Sequence, residues 1–299
     1  MKKILILFSI FYFLFSPVAL GAELYFGAHS KEVGVEKNFE IGVFVNTEGE
    51  LVNAIEGEVI FPPDLEFVEI RDGNSILNLW IKRPQLKEAG QVSFAGVIPG
   101  GYFGGRGYLF SLILRARREG SITITTSDEK ILLNDGQGSP TGVRRAPLSV
   151  NVSERAITEE FSPPLDSDPP EPFTPIITRN PNLFDNQYFL VFATQDKGSG
   201  IREYQIQERK FFKEPAKRGW ITAESPYLLG DQSLRSHVFV KVIDKDGNEK
   251  LATLPPQTPW YKDYAVWGII ILIIISAYLI RRNLWKKLLR HKSPRILDE

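Results

Sequence analysis

"GVIPGGYFGGRGYLFSLILRARREG", residues 96–120, decides how the rest of the chain is read. Its opening holds Gly96, Gly100, Gly101, Gly104, Gly105 and Gly107, a density that suggests a phosphate cradle. A phosphate loop must open a helix, whose free N–H groups and dipole meet the anion. No helix start follows here. After Arg106 the chain sets Tyr108, Phe110, Leu112 and Leu114 on one parity and Leu109, Ser111, Ile113 and Arg115 on the other, the two-residue period of a strand. The glycines therefore form a loop that enters a core strand, and a nucleotide site is set aside.

The neighbouring segments repeat that period. "FEIGVFVN" puts Phe39, Ile41, Val43 and Val45 on one face, and "IEGEVIF" does the same with Ile55, Gly57, Val59 and Phe61. The opposite face of the second strand carries Glu56 and Glu58, and in "QVSFAGV" it carries Gln91 and Ser93 against Val92 and Phe94. Strand parity turns these four polar residues outward. With "SITITT" and "LSVNV" as further short strands, the pattern predicts a β-sandwich. After it, "ITEEFSPPLDSDPPEPFTP" is rich in proline and acid and reads as an extended spacer. A second strand-rich module follows, in which Val238, Val240 and Val242 share a face and Asp246-Gly247-Asn248 supplies a hairpin turn.

Both ends read as membrane segments. Lys2 and Lys3 precede an uncharged apolar run from Ile4 to Leu20, with small residues after it, as in a cleaved signal peptide. "YAVWGIIILIIISAYLI", residues 264–280, carries no charge and is nearly long enough as a helix to cross a hydrocarbon core of about 30 Å. Aromatic Trp260, Tyr261, Tyr264 and Trp267 crowd one edge, and a basic tail from Arg281 follows the other, so the tail is expected in the cytoplasm. The expected division is a signal peptide over 1–22, a first sandwich over 23–153, a linker over 154–175, a second sandwich over 176–256, a single membrane helix over 264–280 and a tail over 281–299. The fold class is all-β apart from that helix. Formal net charge is zero over the whole chain. Since the tail is basic, the exported part is net acidic, which argues against a nucleic-acid partner.

The order "IGVFVNTEGELVNAIEGEVIFPPDLEFVEI", "GNSILNLWI", "GQVSFAGVIPGGYFGGRGYLFSLILRARREGSITI" and "LLNDGQG" resembles a cohesin domain, from about Glu23 to Ser153. It departs from the family at Phe61-Pro62-Pro63, where an apolar-Asp-Pro-like step is usual. The second module, with "DKGSG" and "VFVKVIDKDGNEKL", resembles bacterial Ig-like or fibronectin-type modules. The cohesin resemblance implies a jelly-roll sandwich, a dockerin-like partner and a role in polysaccharide breakdown at the cell surface. It also implies that the strands bearing Glu56, Glu58, Gln91 and Ser93 contribute to the partner face, with a motif-level match at Glu56 alone.

Catalytic chemistry finds little footing. There is no cysteine, so neither thiol nucleophile nor disulfide is available. His29, His237 and His291 stand apart, with no pair at metal-ligand spacing. Asp244 and Asp246 lack the twelve-residue calcium loop with its closing glutamate, so the turn reading is preferred, and no metal or cofactor is expected. The reading is therefore a non-enzymatic binding protein of the cell membrane. The alternative is direct carbohydrate binding or adhesion by the same sandwich, for which Trp80 in "NLWIKR" is the stacking candidate; core packing is its other reading.

Overall fold

The computed structural model describes residues 21–290 apart from 89, 157–159, 211, 259–260 and 262–263. The expected signal peptide up to residue 20, Trp260 and the tail beyond residue 290 lie outside the described residues. The chain gathers into two compact units. One is Met1–Phe173 with Ala193–Tyr204 and Val242–Lys250; the other is Thr174–Phe192 with Gln205–Lys241 and Leu251–Glu299.

Eleven strands build the first sandwich: β1 (Ala22–Ala28), β2 (Glu32–Val33), β3 (Asn38–Asn46), β4 (Val52–Ile60), β5 (Leu65–Arg71), β6 (Leu79–Glu88), β7 (Gln91–Tyr102), β8 (Gly107–Ala116), β9 (Gly120–Leu133), β10 (Val143–Ala146) and β11 (Leu148–Val152). They form a five-stranded sheet in the order β10-β1-β3-β8-β5 and a six-stranded sheet in the order β2-β11-β9-β4-β7-β6. The expected inward residues meet between them. Ile41, Val43, Val45 and Val59 are fully buried, and the rings of Phe94 and Phe110, one from each sheet, meet edge to face at 4.9 Å. Burying each such side chain contributes about 1.5–3 kcal/mol.

The glycine-rich stretch now has its use. Strands β7 and β8 are consecutive in sequence but belong to different sheets, so the loop between them carries the chain across the sandwich. Gly100 and Gly101 take left-handed backbone at φ 87° and 82°, conformations that side chains disfavour. A Cβ on Gly107 would sit within 2.8 Å of Ile76, Tyr102 and Val45.

Both faces of β8 are closed. Besides the core parity, Ser111 and Ile113 are 2% and 1% exposed. Part of the cover is aromatic: Tyr25 stacks on Phe44 at 5.5 Å, Phe44 meets Tyr108 at 5.5 Å, and the Arg106 guanidinium lies 5.6 Å over the Phe44 ring. Among its described residues the linker has no helix or strand, yet it is bonded to the first sandwich at more than one point. Phe161 N–H donates to Asn38 O at 3.0 Å, and Arg71 Nη1 donates to Pro164 O at 3.3 Å. Asn38 lies on β3 and Arg71 on β5, the two strands that flank β8. These bonds carry the linker from β3 to β5, the strands on either side of β8, where Ile113 is buried.

The second module has strands β12 (Ile176–Asn180), β13 (Leu183–Val191), β14 (Ile201–Lys210), β15 (Ile221–Thr222), β16 (Tyr227–Leu228), β17 (Ser236–Asp244) and β18 (Glu249–Leu254). They make a three-stranded sheet, β12-β13-β16, and a four-stranded sheet, β15-β14-β17-β18. Val238, Val240 and Val242 are buried together, as their spacing predicts. After β18 comes helix α1 (Tyr264–Arg290), of which Tyr264–Trp285 is long and apolar enough to cross a membrane.

Candidate partner-binding face

The outer face of the six-stranded sheet is where strand parity put the four polar residues. Antiparallel pairing sets Glu56 opposite Ala95, Glu58 opposite Ser93 and Ile60 opposite Gln91, so the polar side chains form one patch across β4 and β7. Glu56 is exposed, as expected. Glu58 is not free: it receives Lys87 Nζ at 3.4 Å and a short hydrogen bond from Gln91 Nε2, and its side chain is 14% exposed. Ser93 departs from the outward, solvated position that parity assigns it. It is 4% exposed beside this network, and its hydroxyl finds no partner among the described residues. Parity gives the direction of a side chain, but longer neighbours decide whether water reaches it.

A bulge in β9 turns a carboxylate to the inner side of the same sheet, the side of Gly57 and Phe94. The β4–β9 register shifts between Glu56 and Glu58, where Asp128 takes φ 51°. The extra residue brings Glu129 within 3.6 Å of where a Cβ on Gly57 would lie, and Arg145 holds that carboxylate with Nε at 2.7 Å. Burial pushes the Glu129 carboxyl up, but the hydrogen bonds from Arg145, Thr126 and its own backbone N–H, with the Arg145 charge, together hold it below the usual range. Sequence reading missed this pair because "SDEK" looks like an ordinary solvated strand.

Trp80 takes the packing reading. It pairs with Gly96 and packs partly buried against the core, while Leu79 and Ile81 on either side are 44% and 73% exposed. The ring is thus turned inward on edge strand β6.

One cluster has the donor chemistry of a hard cation. Among the described residues, Asp166, Asp196 and Asp244 bring one carboxylate oxygen each within 4.8 Å of one another. Turn chemistry already engages each of them. Asp244 accepts Asn248 N–H at 2.7 Å and Asn248 Nδ2 at 2.8 Å. Asp196 Oδ2 accepts Gly198 and Gly200 N–H, and Asp166 Oδ2 accepts Ser199 N–H at 2.8 Å. Burial, with the neighbouring Asp166, leaves the Asp196 carboxyl raised, although the Gly200 and Gly198 N–H groups act to lower it. For Asp166, burial is outweighed by the Ser199 and Asp168 N–H groups, and its carboxyl is lowered.

No family model and no curated protein matches the chain. Solved structures give matches to cohesins. One is a cohesin module from a Clostridium perfringens family 33 glycoside hydrolase, 13% identical, covering 44% of this chain and 96% of that one, with a TM-score of 0.36. Another is a non-cellulosomal cohesin from the archaeon Archaeoglobus fulgidus, 20% identical, covering 44% and 91%, with a TM-score of 0.37. A third comes from a type I cohesin–dockerin complex of Clostridium thermocellum, 10% identical, covering 44% and 99%, with a TM-score of 0.37.

Proposed function

We propose that the chain is a membrane-anchored surface protein whose first sandwich binds a dockerin-like protein module, in the service of polysaccharide breakdown. In this reading the second, Ig-like module and the linker hold the first sandwich off the membrane, α1 crosses it once, and the basic tail lies in the cytoplasm. The observation that carries the proposal is the outer face of β4 and β7. Exposed Glu56 and the Lys87–Glu58–Gln91 network stand beside the small, half-buried side chain of Ala95, which sets charged and polar groups around a low spot on the face. That is the anatomy of a protein-binding patch in which charge steers the partner. The residue pattern resembling cohesins supports the same assignment.

The test is interferometry with the detergent-solubilised full chain immobilised and a panel of purified dockerin modules in solution. At least one module should bind, and Glu56→Lys should weaken it by about 1–3 kcal/mol. Absence of binding across the panel by a chain with an intact thermal transition overturns the reading, as does a bound dockerin indifferent to Glu56→Lys and Glu58→Lys together.

A further inference from the structure

The connection from β14 to β15 is charged differently from the exported part around it. Residues 209–221, "RKFFKEPAKRGWI", carry five cations and one acid, Glu214. Lys213, Lys217 and Arg218 are exposed, and none of the three is in an ion pair among the described residues. Apolar side chains stand among them. Phe212 and Ile221 are 56% and 57% exposed, and the Arg209 guanidinium lies 4.1 Å over the Phe212 ring. Trp220 sits beside Ile221 under the Lys241 ammonium, 4.8 Å from its ring.

Chain length limits where this surface can go. Strand β18 ends at Leu254 and α1 begins at Tyr264, so nine residues join them. Fully extended they reach about 30 Å. A module tethered so briefly to a membrane helix cannot move far from the lipid surface. Cations beside exposed aromatic and branched side chains suit the headgroup region, where ammonium and guanidinium groups meet phosphate while apolar groups enter the boundary below it. An anionic polysaccharide would satisfy the charges but would leave Phe212 and Ile221 in water.

We propose that the β14–β15 loop is a lipid-binding surface that lays the second module onto anionic phospholipid headgroups. The inference rests on the membrane-anchoring reading, and the experiment separates the two. The full chain is placed in nanodiscs of phosphatidylcholine alone or with about one third phosphatidylglycerol, and acetylation rates of Lys213 and Lys217 are read by mass spectrometry. Anionic discs should slow both lysines at least threefold, high salt should restore them, and Phe212→Ser with Ile221→Ser should reduce the protection with the thermal transition unchanged. Equal rates in the two discs overturn the proposal, as does equal protection by alginate added to phosphatidylcholine discs. A chain that does not enter discs refutes the anchoring reading instead. The loop is then judged by flotation with anionic vesicles: binding lost on Lys213→Glu with Lys217→Glu and Arg218→Glu supports it, and binding unchanged by those substitutions overturns it.

Discussion

Ile113 on β8 and Glu56 on β4 both point away from the core of the first sandwich, yet Ile113 is 1% exposed and Glu56 is open to solvent. The five-stranded sheet has its outer face covered in part by the Tyr25–Phe44–Tyr108 row, and the linker is bonded to the strands on either side of β8. Burial there pushes the Tyr108 hydroxyl up to about 12, and the hydroxyl donates to Arg71 O at 3.2 Å. The six-stranded sheet carries Glu56 open to solvent on its outer face, beside the Lys87–Glu58–Gln91 network. A sandwich has two outer faces, and here the two differ: one is closed at Ile113 and the other is open at Glu56.

Placing a charge on the closed face should have the largest effect. Ile113→Asp buries a carboxylate with no partner and is expected to cost about 4 kcal/mol or more, enough to unfold much of the sandwich in a urea titration. A loss under about 1 kcal/mol would show the covered face to be open. Trp80→Ala comes next, at about 3 kcal/mol, the low end for a large aromatic because the ring is only partly buried. A normal melt with lost binding to insoluble polysaccharide would return Trp80 to sugar stacking.

On the open face the effects on stability should be small and unequal. Glu58→Lys should cost about 1 kcal/mol, since it sets a cation against Lys87 and removes the acceptor of Gln91. Glu56→Lys should stay within about 0.5 kcal/mol. Equal costs at the two positions, read from denaturation midpoints, would contradict the Lys87–Glu58–Gln91 network.

The smallest effect belongs to the far end of the linker, where Asp166 N–H donates to Asp246 Oδ2 at 2.8 Å. Because the Asp196 carboxyl is raised on folding, the folded state holds its proton to higher pH than the unfolded chain. The cost of ionising it is absent below about pH 3.9 and complete above the raised value, so stability falls as pH rises through that window. Asp166, being lowered, acts with the opposite sign at more acidic pH. Asp196→Asn should therefore flatten the fall, and a pH series of thermal melts identical to wild type would remove Asp196 from the account.

The strands were legible because alternation records burial directly: Ile41, Val43 and Val45, and Val238, Val240 and Val242, lie where their period sets them. What could not be read is whatever depends on residues distant in sequence. Ile113 and Ser93 sit on outward parities and are nevertheless buried, in surroundings that the period of their own strands does not record. The inward turn of Trp80 depends on the irregular β6–β7 register, whose shifts between Trp80 and Lys82 leave no mark in the sequence. Of the candidate face, Glu56 and its strand were legible, whereas the bond from Gln91 to Glu58 needed the register of β4 against β7.

Strand β11, the last of the first sandwich, pairs antiparallel with β9 over five positions and parallel with β2 over two. A pull on the chain beyond the linker must first release Phe161 from Asn38 and Pro164 from Arg71; only then does it load β11, whose rungs take the force together in shear and cannot open one at a time like a zipper. Force spectroscopy should therefore record a small early release before one large rupture.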